Sequence, residues 1–410
     1  ADKKELLWKP CKEITIDHDL PELVLKNNQV SFSKLDKFDS NYLASKRNKT
    51  TYPIKTYSSW DSLLPTYWTP YLSFTSKDLY LGFSSRAQDY LNFYAIPFTL
   101  ARGIINQSLY YDLHLVDSYH YPKLSMRWQG EKATSGSMDN NVNPSLFQAK
   151  LIFSREGYTS QQDSGRFYTQ ALSFGFQHKV QSFESQDQYS AINTNAVILE
   201  FNYRDAERYK ASISPEIGQS FSLSYQHANT VFGSETTYHK IVFDGRKYIP
   251  LTGKNQVLAM RMVAGSASEN MISAQKFQLG GHQNSAGLST SNQIYFPLRG
   301  FSQSSFQGNK LFLSSLEYRF PIATVEHKIG FDWASVFLER ISGKLLLDTG
   351  TTWTSKLATP QETLHFSIGT EINFKFNLAH DAPFSLTVGT AKALSEAADY
   401  QFYAHIGTSF

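Results

Sequence analysis

The segment LHFSIGTEINFKF, residues 364–376, places an apolar or small β-branched residue at every second position. The even-numbered residues are Leu364, Phe366, Ile368, Thr370, Ile372, Phe374 and Phe376, and the odd-numbered residues are His365, Ser367, Gly369, Glu371, Asn373 and Lys375. Because successive side chains of a strand point to opposite faces, this pattern predicts a strand with one apolar and one polar face. The run is longer than the roughly five or six residues usual for strands of soluble proteins. Its length is typical of a strand that crosses a bilayer, for which about 9–11 residues are needed.

The C-terminal residues 400–410 repeat the pattern with aromatic residues at both ends. One face carries Tyr400, Phe402, Ala404, Ile406, Thr408 and Phe410, while the other is polar or small. Aromatic rings are favoured at the two interfaces of a membrane, so an apolar face with aromatic ends is typical of a lipid-facing strand.

The same rhythm recurs along the chain and predicts an all-β protein, a 16-stranded antiparallel transmembrane β-barrel. The candidate strands lie near 69–75, 78–86, 90–101, 106–115, 122–129, 145–156, 166–181, 195–206, 218–229, 237–251, 255–265, 309–320, 336–350, 364–376, 384–392 and 400–410. An even number of antiparallel strands can close on itself and leave no unpaired edge in lipid.

Composition excludes several other classes of protein. The 410 residues are 15% aromatic and only 18% charged, and no run approaches the roughly 20 apolar residues of a membrane-spanning helix. The net charge of +3 argues against nucleic acid as a partner. The single cysteine, Cys11, excludes an internal disulfide and a multi-cysteine metal site.

The predicted domain organisation has two parts. Residues 69–410 form the barrel, and residues 1–68, with Pro10, Pro21 and Pro53 and weak periodicity, form a periplasmic lead-in segment, interpreted as the remnant of a larger upstream domain. No signal peptide pattern precedes Ala1, so the chain is interpreted as mature or as a fragment. The longest interruption between strands, 266–308, is rich in Ser, Gly, Gln and Asn, and a connection of that length is expected to be functional.

Three motifs follow one another within and after this interruption. They are Gly280–Gly281, then Arg299–Gly300–Phe301, then Glu317–Tyr318–Arg319–Phe320–Pro321. The strand Leu345–Gly350 ends in Asp348-Thr349-Gly350, and the chain ends in Gly407-x-x-Phe410. In this order the motifs resemble the outer-membrane assembly and secretion-barrel superfamily, which includes the BAM-complex barrel subunit and the two-partner secretion transporters. The family's POTRA modules, with their βααββ pattern, are not recognisable in residues 1–68.

The resemblance implies that the Arg-Gly-Phe loop is inserted into the barrel lumen. Arg299 would bind Asp348 of the Asp-x-Gly strand, since a guanidinium fork suits a carboxylate, and alternation places Asp348 inward if Leu345 and Leu347 face lipid. The implied set of loop-latch residues is Arg299, Gly300, Phe301, Asp348, Gly350, Glu317 and Arg319, and the C-terminal strand signal is Tyr400, Phe402, Gly407 and Phe410. The alternative is that these charges only solvate a water-filled interior.

By the same resemblance, the chain would insert or translocate proteins at the bacterial outer membrane. The expected partners are the lipid bilayer, client proteins, and accessory periplasmic or lipoprotein subunits, with no cofactor and no metal. Two alternatives stay open: a passive channel or an outer-membrane anchor for a missing upstream periplasmic domain, and a hydrolase at the barrel rim. The chain contains no Gly-x-Ser-x-Gly, phosphate-loop or His-Glu-x-x-His motif, so we expect no enzyme.

Overall fold

The structure is a computed structural model with two units, Ala1–Tyr57 and Ser58–Phe410. It describes residues 23–26, 29–32, 57–74, 79–105, 107–132, 144–158, 166–185, 188–209, 211–269, 271–282, 295–329, 336–354, 364–378, 382–394 and 400–407. Within the first unit, β1 (Leu23–Lys26) and β2 (Gln29–Phe32) form an antiparallel hairpin.

The second unit is almost entirely β-structure. A single helical turn, α1 (Ser59–Ser62), precedes the first strand, and short 3-10 turns occur at Thr230–Phe232 and Ser273–Gln275. The strands are β3 (Leu64–Phe74), β4 (Leu79–Gln88), β5 (Tyr94–Gly103), β6 (Leu109–Asp117), β7 (Lys123–Lys132), β8 (Ser145–Tyr158), β9 (Phe167–Ser185), β10 (Gln188–Arg204), β11 (Gly218–Ala228), β12 (Tyr238–Pro250), β13 (Val257–Ala267), β14 (Phe277–Leu279), β15 (Tyr295–Phe296), β16 (Phe306–Gly308), β17 (Lys310–Ile329), β18 (Val336–Trp353), β19 (His365–Leu378), β20 (Ala382–Ala393) and β21 (Gln401–Gly407).

Sixteen of these strands form one sheet in which every neighbouring pair is antiparallel. The order follows the chain from β3 to β21, except that β13 pairs directly with β17. The three strands that intervene in sequence, β14 to β16, form a separate small sheet. The prediction of an all-β chain with a large antiparallel sheet is therefore confirmed. Among the residues that the structure describes, no helix is long and apolar enough to cross a membrane.

Exposure follows the alternation of the sequence. On β19, Phe366 and Ile368 are 40% and 53% exposed, whereas Ser367 is fully buried and Glu371 is 4% exposed. The face that carries Phe366 and Ile368 is called the outer face below. The opposite face, which carries Glu371, is called the inner face. Apolar side chains on the outer face are exposed because no described residue of the second unit covers them.

The inner face is covered in part by the connection between β13 and β17, residues 268–309, called the inner loop below. Its Phe277, Leu279 and Leu298 are fully buried or nearly so, and they belong to one apolar cluster with Val263 of β13 and Leu313 of β17. Fully burying a side chain of this size contributes about 1.5–3 kcal/mol. The inner loop is therefore held against the sheet by a core of its own.

Several strand bounds differ from those predicted. The first strand of the sheet begins at Leu64 rather than 69, and β9 and β10 pair as far as Ser185 and Gln188, where a break between 181 and 195 was expected. Strand β17 continues to Ile329 through two register shifts, between Pro321 and Ala323 and between Thr324 and His327. A strand needs only backbone partners to continue, so it can extend beyond the region where one face is apolar, which is all that alternation detects.

Candidate functional site

The inner loop turns sharply at two consecutive glycines that follow β14. Gly280 and Gly281 have φ values of +131° and +76°, a region that favours glycine. A Cβ on Gly280 would lie 2.3 Å from the carbonyl oxygen of Ser302, so the position admits no side chain. The amides of Gly280 and Gly281 donate to the carbonyls of Phe296 and Phe301 at 3.0 Å. These bonds close the loop on itself and fix the segment that precedes Arg299.

Gly300 forms the tip of the loop. Its φ is +89°, and a Cβ there would lie 2.9 Å from the carbonyl carbon of Lys392 and 3.0 Å from the amide nitrogen of Ala393. The tip therefore lies directly on the backbone of β20. Phe301 is buried and makes an edge contact with Phe306 and with His365, at centroid distances of 5.3 and 5.5 Å.

Arg299 projects from this tip into a group of carboxylates on the inner face. Its Nε and Nη2 donate to the two oxygens of Asp348 at 2.7 and 2.8 Å, a bidentate pair. Its Nη1 donates to Oε1 of Glu317 at 2.9 Å and to Oε1 of Glu371 at 3.1 Å. Arg299 thus joins the loop to three consecutive strands of the sheet: β17, β18 and β19.

The three acceptors compensate for the burial of the guanidinium. Only 11% of the Arg299 side chain is exposed, and Asp348 is fully buried. Burial alone would lower the pKa of Arg299, but the hydrogen bonds and the charge of Asp348, together with Glu317 and Glu371, hold that pKa well above its ordinary value. Arg299 is consequently a permanent cation, and the three carboxylates around it balance its charge.

Further side chains extend this group, and it is called the Arg299 network below. Arg319 donates to Oε2 of Glu317 at 2.7 Å, and Lys344 donates to Oε2 of Glu371 at 2.7 Å. The hydroxyl of Tyr403 on β21 donates to Oε1 of Glu371 at 2.8 Å. The network therefore reaches the last strand of the sheet.

Gly350 is required for packing rather than for the ion pairs. A Cβ at this position would lie 3.1 Å from the carbonyl oxygen of Phe312 and 3.2 Å from Cδ2 of Leu279. The absence of a side chain lets Leu279 of the inner loop pack against β18. The Asp348-Thr349-Gly350 motif thus supplies both the carboxylate for Arg299 and the space for the loop core.

The structure brings together the seven residues of the predicted latch in one region. Three members of the Arg299 network were not among the predicted site residues: Lys344, Glu371 and Tyr403. Alternation placed Glu371 on the polar face of its strand, but only the register shows that it meets Lys344, which is directly opposite. Tyr403 lies on the polar face of the C-terminal strand, and no motif distinguishes it.

The residues of the C-terminal strand signal lie apart from this network. Tyr400 and Phe402 are 62% and 82% exposed, with Phe402 on the outer face, and Gly407 is the last residue of β21. Phe410 lies outside the described residues. Within the part of the chain that the structure describes, no group of His, Cys, Asp and Glu side chains has the arrangement of a metal site.

Comparison with known proteins agrees with this architecture. The family model described as the Omp85 superfamily domain matches residues 61–410. The chain belongs to the Omp85 superfamily. The resemblance inferred from the sequence motifs is thereby confirmed. No curated protein matches the chain.

Three solved structures of Omp85-type proteins share the fold at low sequence identity. BamA from Haemophilus ducreyi lacking POTRA domains 1–3 superposes with a TM-score of 0.50 at 14% identity, covering 83% of this chain and 68% of that one. CdiB from Escherichia coli gives 0.57 at 14%, covering 85% and 64%, and CdiB from Acinetobacter baumannii gives 0.50 at 13%, covering 82% and 58%. The chain thus spans less than two thirds of the length of either CdiB.

Proposed function

We propose that this Omp85 chain is an integral protein of the bacterial outer membrane that inserts or translocates other proteins there. In this proposal the sixteen-stranded sheet closes between β3 and β21 into a barrel, with the outer face in lipid and the inner loop in the lumen. Residues 1–68 are a periplasmic lead-in. The partners are client proteins and accessory periplasmic or lipoprotein subunits, and no cofactor is required. Membership of the superfamily supports the location and the general role.

The observation that carries the proposal is the attachment of Arg299 to Asp348, Glu317 and Glu371. A pore that only admits solutes needs a wet interior, whereas here the centre of the inner face holds a loop with its own apolar core and a buried bidentate ion pair. A loop anchored in this way obstructs free passage while fixing the strands nearest the end of the sheet. That combination suits a barrel that inserts or translocates polypeptides along its strands rather than through an open pore.

The two terminal strands of the sheet have features of a weak seam. Within the described part of the two strands, β21 pairs with β20 over seven residue pairs, whereas β9 and β10 pair over seventeen. β3 contains Pro65 and Pro70, which cannot donate backbone hydrogen bonds, and its register shifts between Pro65 and Trp68. Among the described residues, no backbone ladder joins β3 to β21. An edge of this kind can accept an incoming strand by β-augmentation.

Depletion of the protein followed by quantitative outer-membrane proteomics tests the proposed role. We expect the loss of several barrel proteins, or of one defined secreted client, and rescue by the wild-type chain. Arg299→Ala should fail to rescue although it is present in the membrane. Arg204→Ala is the matched control, because Arg204 is exposed and its side chain forms no hydrogen bond or ion pair with another described residue.

The passive alternative predicts a different result in the same experiment. A channel or an anchor for an upstream domain would leave the outer-membrane proteome unchanged while altering permeability to small solutes. That outcome would contradict the proposed role and would leave the Arg299 network as a structural latch.

The seam is tested by disulfide locking in a Cys11→Ser background. One cysteine is placed in Leu64–Phe74 and one in Gln401–Gly407, and pairs that cross-link are selected. We expect the lock to abolish client insertion or secretion and reduction to restore it. A cysteine pair at Val388 and Ala404, which already lie opposite each other in β20 and β21, is the control. Undiminished client insertion or secretion with the two strands cross-linked would refute the proposal that the seam opens.

A further inference from the structure

A cavity of about 160 Å³ lies on the inner face beside the Arg299 network. Its basic lining side chains include Arg246 of β12, Arg261 of β13 and Arg319 of β17. The side chain of Arg246 is 45% exposed and that of Arg261 is 22% exposed, so both guanidiniums present part of their surface to this space.

Two of these arginines are direct cross-strand neighbours. The register of β12 and β13 places Arg246 opposite Arg261. Like charges directly opposite each other destabilise a sheet, so this pair needs compensation. The only carboxylate that either guanidinium contacts within the described part of the chain is Asp244.

Both carboxylate oxygens of Asp244 accept hydrogen bonds from this pair. Arg261 donates to its two oxygens at 3.2 and 2.8 Å, and Arg246 donates to the same two oxygens at 3.4 and 3.3 Å. The longer contacts of Arg246 show that one carboxylate serves two guanidiniums incompletely. One positive charge of the pair is therefore uncompensated.

The neighbouring carboxylates are already engaged by other cations. Oε2 of Glu317 accepts from Arg319 and its Oε1 from Arg299, while Glu371 accepts from Lys344 and Arg299. The cavity and the side chains behind it hold five basic groups (Arg246, Arg261, Arg299, Arg319 and Lys344) and four acidic groups (Asp244, Glu317, Asp348 and Glu371), a net charge of 5 − 4 = +1. His282 also lines the cavity, but burial lowers its pKa, so it adds no charge at neutral pH.

We propose that this cavity is a binding site for a small oxyanion of the phosphate class, held between Arg246, Arg261 and Arg319. Guanidinium forks match the oxygens of phosphate, and charge-assisted hydrogen bonds of this kind are among the strongest that side chains form. The anion supplies the negative charge that the Arg246–Arg261 pair lacks. The guanidinium of Arg319 lies 5.8 Å from the ring of Tyr248, and both residues line the same cavity as Arg246 and Arg261.

The test uses the full chain, purified in detergent, with inorganic phosphate as the probe. A ligand that binds only the folded state raises the unfolding midpoint. We expect phosphate to raise it relative to chloride at matched ionic strength, and phosphorus NMR to show line broadening of phosphate by the protein. Arg246→Gln should weaken the affinity by about tenfold or more, the loss expected for one charge-assisted contact.

Lys247→Gln is the matched control, because it removes the same charge from the next residue of the strand, which faces outward. It should keep the full phosphate effect. Arg246→Lys keeps the charge without the fork and should bind with intermediate affinity, which separates recognition from a folding defect. A phospholipid added to the micelles tests a headgroup as the source of the phosphate. We expect no effect that depends on Arg246, because the cavity lies on the inner face.

Three results would overturn the proposal. The first is the absence of any phosphate-specific shift or broadening with the wild-type chain. The second is an equal shift in wild type and Arg246→Gln, which would mean general screening of surface charge. The third is an Arg246-dependent effect of the phospholipid without an effect of inorganic phosphate.

Discussion

At Arg299, one guanidinium satisfies three carboxylates, so removing it leaves Asp348 buried without its counter-charge. Breaking a buried ion pair on one side typically costs about 3–5 kcal/mol. We therefore expect Arg299→Ala to lower the free energy of unfolding, measured by urea titration in lipid vesicles, by about 3 kcal/mol or more. Asp348→Ala should cost a similar amount, since it removes the bidentate partner.

The double variant distinguishes a coupled pair from two independent charges. Residues in direct contact show coupling energies of about 0.5–3 kcal/mol, so Arg299→Ala with Asp348→Ala should cost less than the sum of the single variants. Arg204→Ala should stay within about 0.5 kcal/mol of wild type, as exposed substitutions usually do. Strict additivity of the two network variants would mean that the contact contributes nothing of its own.

His282 gives the network a pH dependence whose sign follows from its environment. Its ring stacks on Tyr403 at a centroid distance of 5.0 Å, and burial lowers its pKa from 6.5, with the charge of Glu371 acting in the opposite direction. The unfolded chain therefore binds a proton at His282 at a higher pH than the folded chain does. The contribution to stability is fully present above about pH 6.5 and is lost as the pH falls through the folded-state pKa.

The pH effect is measured as a difference between two proteins. Between pH 7.5 and pH 5.5, the free energy of unfolding of wild type should fall more than that of His282→Gln, which removes the titrating group. Carboxylates titrate in both proteins and cancel in the comparison. Equal pH slopes for wild type and His282→Gln would contradict a lowered pKa of the His282 imidazole.

Single residues also show what the sequence can and cannot predict about the site. Alternation assigns Asp348, Glu317 and Arg319 to the polar faces of their strands, because side-chain direction in a strand depends only on parity. It could not show that Arg246 faces Arg261 or that Glu371 faces Lys344, because these contacts depend on the register between strands. The position of Arg299 was implied by the family resemblance alone, since no periodicity exists in the loop that carries it.

At the scale of the element, the inner loop depends on its glycine turn. Gly280 combines a φ of +131° with a close approach to the carbonyl of Ser302, so Gly280→Ala must shift the backbone. Strain of this kind costs about 1–3 kcal/mol. We expect faster hydrogen exchange at residues 277–282 in Gly280→Ala, because the bonds from Gly280 and Gly281 to Phe296 and Phe301 are loosened.

The same exchange experiment contains its own comparison. Strand β19 should keep its protection in Gly280→Ala, because its backbone bonds lie within the large sheet. Gly253→Ala is the control substitution, since a Cβ there would meet only the flexible end of the Gln256 side chain. Unchanged exchange at 277–282 in Gly280→Ala would show that the loop tolerates a side chain at this turn.

Elements were predictable where one face is apolar and less so elsewhere. The strand Leu364–Phe376 was predicted almost to its observed ends because its two faces differ clearly along the whole length. The paired ends of β9 and β10 were missed because their polar residues continue the backbone ladder without an apolar face. The three short strands of the inner loop were not predicted, since two or three residues are too few to show any period.

At the scale of the whole molecule, the inner loop connects parts of the sheet that are distant in sequence. It packs on Val242 and Val263, and Arg299 binds one carboxylate on each of β17, β18 and β19. Its tip contacts β20 at Gly300, and the ring of His282 stacks on Tyr403 of β21. In a closed barrel, a loop with these contacts must occupy much of the lumen. The purified protein in planar bilayers should therefore show low conductance, and replacing residues 268–309 with a short turn should raise it several-fold.

The control for this deletion is a shortening of the connection between β18 and β19. The strand ends that it joins are at the same end of the sheet as the start of β17, since Lys310 lies opposite Trp353. This shortening leaves Arg299 and the apolar core of the inner loop in place, so conductance should stay close to that of wild type. Arg299→Ala should lie between the two, because it releases the ion pairs while the contacts of Phe277, Leu279 and Leu298 remain. If the inner-loop deletion conducted no better than the control deletion, the loop would not be the barrier. The sheet would then have to restrict passage in another way, by remaining open or by collapsing on itself.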